Sequence, residues 1–110
     1  MAVYSNITID QGTDYSATID VTDTDGDALN LTGYTAAGQI RKTFSSSTKV
    51  DFTAAIANAS TGQVSISLTS AVTDAMKAGR YVYDLEVTSG SGTKTRVLEG
   101  QIEVMPGVTR

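Results

Sequence analysis

The chain has 110 residues, the length of one domain, with no His, no Cys and a formal net charge of -4. The commonest general base, the thiol nucleophile and most zinc ligands are therefore missing, and no disulfide framework exists. The acidic balance speaks against nucleic acid, no apolar run approaches the roughly 20 residues of a membrane span, and the start has no basic-then-apolar export pattern, so synthesis in a cytosol with no membrane partner is expected.

Residues 3–10 alternate weakly through Ile7 and Ile9, Gln11-Gly12-Thr13 marks a turn, and Tyr15, Ala17, Ile19 and Val21 then occupy every second position. Such period-two patterning is that of a strand with one buried face. Asp23-Thr24-Asp25-Gly26-Asp27 predicts a type I′ hairpin turn, from which a short strand through Leu29 and Leu31 returns. Gly33 breaks the pattern, Thr35 to Lys42 resumes it with Ala36, Gly38 and Ile40 on one face, and Phe44 to Thr48 reads as a loop.

Val50, Phe52, Ala54 and Ile56 form one alternating set, Asn58 to Gly62 is turn chemistry, and Val64, Ile66 and Leu68 complete a hairpin. Residues 70–78 change period. Ser70 is placed as the cap, Ala71, Val72, Ala75 and Met76 as the apolar face, and Gly79 as a left-handed stop. Tyr81, Tyr83, Leu85 and Val87 line the next strand, Ser89 to Gly92 turns the chain, and a last strand from about Thr93 to Val104 carries Leu98, Gly100, Ile102 and Val104 inward. Pro106-Gly107 ends pairing before the tail of Val108 to Arg110.

Short strands with turns about every ten residues predict an all-β fold, an immunoglobulin-like antiparallel β-sandwich of seven or eight strands with one short helical turn, in a single domain over residues 1–110. In that architecture the hydroxyl of Tyr81 bonds to backbone upstream, and Tyr83 fills the core position where antibody domains keep a cysteine.

The acidic run around Gly26 invites calcium, but in a helix-loop-helix calcium loop the first and twelfth ligands would be Val21 and Thr32, neither of which can serve. A surface hairpin is the default, with a shallow site from Asp20, Asp23, Asp25 and Asp27 as the alternative. Asp84 with Glu86, or Glu99 with Glu103, form carboxylate pairs of the kind acid-base catalysis uses. Asp84 and Glu86 occupy outward strand positions and read as cross-strand partners of Lys94 or Arg96. No catalytic, cofactor or metal residue is assigned. Six Asp and no basic residue lie in the first thirty positions, a solvated surface or a patch complementary to a basic neighbour.

The string Leu29-Asn30-Leu31-Thr32-Gly33-Tyr34, with Gln39-Ile40-Arg41, Gly62 to Thr69, Ala78-Gly79-Arg80-Tyr81-Val82-Tyr83-Asp84-Leu85, Glu99-Gly100 and Val104 to Arg110, resembles the immunoglobulin-like domains of tailed-phage virion proteins. The likeness is to those of cyanophages above all, and the chain is similar to the amino-terminal domain of phage baseplate upper proteins. This resemblance implies a non-enzymatic structural module located in the virion and made in the host cytoplasm. Its expected role is a capsid decoration, or cement, protein that binds and stabilises the assembled head. The absence of a following coiled coil or receptor-binding region favours that over a baseplate adaptor. The alternatives are a tail, neck, baseplate or fibre component, or a host-surface or glycan adhesion domain. Other virion proteins, the major capsid protein first, are the expected partners, with homo-oligomerisation left open. Tyr4, Tyr34, Phe44, Val108 and Arg110 are the expected contacts, with Asp23 and Asp25 of the acidic hairpin as their electrostatic complement.

Overall fold

The computed structural model describes residues 3–23 and 25–108; Arg110, among the expected contacts, lies outside them. The alternating segments become β1 (Val3–Tyr4), β2 (Ile7–Asp10), β3 (Tyr15–Asp20), β4 (Thr35–Arg41), β5 (Lys49–Asp51), β6 (Thr53–Asn58), β7 (Gln63–Leu68), β8 (Gly79–Thr88) and β9 (Lys94–Met105), with α1 (Ser70–Ala75) between β7 and β8. The larger sheet has the order β1-β9-β8-β4-β5, with β2 also paired to β9; the smaller has the order β3-β7-β6. Among the described residues only β1 and β2 pair in parallel, both along β9, and the other ladders are antiparallel.

The inward side chains do what their spacing predicts. Val64, Ile66 and Leu68 of β7 meet Tyr83, Leu85 and Val87 of β8 and Leu98, Ile102 and Val104 of β9 in one buried cluster. This is the expected all-β sandwich with one short helix, its core held by apolar burial worth about 25 cal/mol per Å2.

Tyr81 closes the expected corner, its hydroxyl donating to the Lys77 carbonyl at 2.6 Å, while Lys42 Nζ stands 4.7 Å from its ring centroid. Tyr83 is buried in the core and donates its hydroxyl to the Ser5 carbonyl at 2.7 Å. Ser5 and Asn6 separate β1 from β2 directly over Gly100, where a Cβ would fall inside the Ser5 carbonyl group. The position needs glycine because another backbone crosses it.

Three local expectations are corrected. The Val50 to Ile56 set is not one strand: β5 belongs to the larger sheet and β6 to the smaller, and the chain changes sheets at Phe52. Alternation survives such a crossing, so the sequence cannot mark it. The Phe52 N–H still donates to the Gly38 carbonyl at 3.0 Å, and its ring meets Tyr83 edge-on at 6.1 Å. Gly38 leaves the room, since a Cβ there would stand 3.0 Å from Phe52 Cδ2.

Among the described residues the acidic hairpin is pinned by one isolated bridge, Thr22 to Ala28, and no returning strand forms. Gly26 is left-handed at φ 87, but no non-glycine residue described has positive φ, so Asp25 does not make the type I′ turn. Leu29 and Leu31 instead bond to Val21 and Ala59 carbonyls as irregular chain, with Leu31 buried. The helix, finally, is capped by Thr69, whose side chain accepts from Val72 N, and ends at an extended Met76 before Gly79 opens β8. Its buried residue is Thr73, whereas Ala71 and Ala75 are exposed. The Thr73 hydroxyl donates to the Thr13 carbonyl at 2.7 Å and accepts from Gly12 N at 3.1 Å, a polar anchor that an apolar-period reading passes over.

Candidate functional site

Outward positions of β4, β8 and β9 converge on the exposed face of the larger sheet. Register places Gln39 beside Asp84 and Asp84 beside Glu99; Ala37 lies beside Glu86 and Glu86 beside Arg96. A register shift after Leu85 leaves Val97 as the extra residue of β9, which brings Arg96 opposite Glu86 on this face. The result is a groove of about 330 Å3, with Val82 and Ala37 among its lining and Phe44 at its rim.

The groove's charges are partly spent within it. Arg96 Nε stands 3.3 Å from Asp84 Oδ2, the expected cross-strand pair. Arg41 donates through Nη1 to the Ser46 carbonyl and through Nη2 to Gln39 Oε1 at 3.0 Å. It thus fastens the loop after β4, which Ser46 N also closes by donating to the Thr43 carbonyl at 3.1 Å. That loop presents Phe44 with 85% of its surface in solvent. Beside the groove, Lys49 Nζ bonds Asp51 at 2.9 Å and holds that carboxyl below its ordinary pKa.

The other expected contacts are dispersed. Tyr4, 63% exposed, sits next to Val3 on β1 at the register of Glu99. Val108 is fully outside at 98%, just past an exposed Met105 at the far end of β9. Tyr34 is half-buried and packs against the core cluster. Asp23 and Asp25 occupy the separate hairpin, where Asp23 Oδ1 accepts from Asp25 N at 2.9 Å and Asp27 N at 3.1 Å. The Asp23 carboxylate therefore shapes the turn, and no cluster of three or more metal-ligating side chains forms among the described residues. Sequence reading did not assemble the groove; outward alternation was its visible signal, and the cross-strand register was not.

The fold and this face define a β-sandwich domain with an open, mixed-charge outer sheet. The chain belongs to the LtfC-like β-sandwich domain family, whose profile matches residues 2–105. That description names a fold and no activity. No curated protein matches the chain. Among solved structures it is similar to the internalin-like protein lmo2027 of Listeria monocytogenes, at 15% identity and a TM-score of 0.47, covering 96% of this chain and 28% of that one. It is also similar to a family 123 glycoside hydrolase from Clostridium perfringens, at 14% identity and a TM-score of 0.44, covering 97% and 23%. The chain thus spans under a third of either protein, and at these scores neither likeness bears on function.

Proposed function

We propose that this domain is a structural protein of a tailed-phage virion that decorates and cements the assembled head, with the major capsid protein as its partner. The observation that carries the reading is the set of large apolar side chains left in solvent around a well-closed core: Val3 and Tyr4 on one edge, Phe44 on the outer face, and Met105 and Val108 at the far end of β9. Docking against the shell would take such side chains out of water. Membership of a phage-associated β-sandwich family supports the setting. The mechanism is mechanical: each copy bridges neighbouring shell subunits, burying on the order of 1,000 Å2 or more, and symmetry multiplies that modest interface over the shell.

The test is to dissociate particles into heads and tails and quantify this chain in each fraction. Decoration requires many copies on heads, in proportion to the shell lattice. A ring stoichiometry confined to tails would replace it with a tail, neck or baseplate role.

A further inference from the structure

We propose that the groove between β4, β8 and β9 is a receptor site for a basic side chain, Arg or Lys, presented by an extended segment of a protein partner. The inference does not depend on where in a particle the domain works. Three carboxylates, Asp84, Glu86 and Glu99, line the groove against two guanidiniums. Both guanidiniums are already engaged, Arg41 in holding the Phe44 loop and Arg96 against Asp84. Among the described residues neither Glu86 nor Glu99 lies within ion-pair distance of a cation. Asp84 and Glu99 also face one another across the β8–β9 ladder, an arrangement of like charges that disfavours the isolated sheet and that a bound cation relieves.

Shape and apolar surface agree with that charge. A groove of about 330 Å3 is at the small end of ligand sites, suited to one long side chain and its flanking backbone. Phe44 stands exposed at its rim on a loop that Arg41 fastens, so its ring is in place to cover an aliphatic stem or meet a cation through its face. The acidic hairpin offers no equivalent, because the Asp23 carboxylate is occupied by its own turn.

The experiment is an amide NMR titration of the full chain with three probes: the peptide acetyl-Gly-Arg-Gly-Arg-Gly-amide, the same peptide with Glu for Arg, and a neutral oligosaccharide. The arginine peptide is expected to shift amides within 37–44, 82–86 and 96–99 and to saturate. The E86Q/E99Q double variant should weaken it about tenfold or more and F44A several-fold, while D23N/D25N leaves it unchanged. Phe44, Asp23 and Asp25 are exposed and Glu86 and Glu99 half-buried on the outer face, and an unchanged melting temperature confirms that each variant is folded. No shift with the arginine peptide, shifts centred on residues 23–27, an equal response to the glutamate peptide, or preferential occupation by the oligosaccharide would each overturn the proposal.

Discussion

Gly100 and Tyr83 lie side by side on adjacent strands, and both answer to the same atom, the Ser5 carbonyl. The carbonyl can approach β9 so closely only because Gly100 has no side chain, and in that position it accepts the Tyr83 hydroxyl. A G100A substitution must push the β1–β2 crossover outward and break that bond. A loss of about 2–4 kcal/mol in urea unfolding is expected, and an unchanged midpoint would show that the crossover does not matter. Burial pushes the Tyr83 phenol up to about 12, the Ser5 side chain pulling the other way, and burial raises Tyr15 as well. The folded chain therefore keeps the Tyr83 proton up to about 12, whereas the unfolded chain releases it near 10. Stability from this group is complete below pH 10 and declines as pH climbs from 10 to 12. Melting temperatures measured across that window should fall for the parent and fall less steeply for Y83F, which begins about 1 kcal/mol lower for want of the Ser5 bond. Parallel curves would remove Tyr83 from the alkaline transition.

At the scale of elements, the short helix α1 meets the core through Val72 and its cap Met76, and polar ties fasten it to the β2–β3 turn. Thr73 bonds Thr13 and Gly12, Asp14 Oδ1 accepts from Ser70 N at 2.7 Å, and Gln11 Nε2 donates to the Met76 carbonyl at 2.7 Å. A T73V exchange keeps the shape while leaving the Gly12 N–H and the Thr13 carbonyl without their partner. It should cost about 1–3 kcal/mol with an unchanged denaturant slope; a neutral result would mean that the helix rests on packing alone. Removing the Tyr81 hydroxyl with Y81F should cost about 1 kcal/mol, read from the same unfolding curves, and a loss near zero would make the corner ornamental. These elements also show what period and composition reveal. The strands through Val64 to Leu68 and Tyr83 to Val87 were legible because burial on one face leaves a period of two. The crossing at Phe52 was not, because a strand that changes partners keeps its alternation, and Thr73 was hidden because its burial is hydrogen-bonded.

For the whole molecule, the sequence disclosed the sandwich and most of its inward set but could not assemble the groove. Asp84, Glu86 and Glu99 were recognisable as outward or unassigned carboxylates, yet their meeting depends on a ten-pair antiparallel ladder with a register shift inside it. That information lies in long-range pairing, not in any local pattern. In the sequence Phe44 reads only as part of a loop, and its placement at the groove's rim depends on Arg41 reaching the Ser46 carbonyl. The picture that emerges is a closed core whose exposed apolar side chains adhere to a larger assembly. Co-sedimentation of the purified domain with phage heads stripped of it, and separately with tails, measures that adhesion directly. Saturable binding to heads at a stoichiometry set by shell symmetry is the predicted result; binding to tails alone, or to neither, would contradict it.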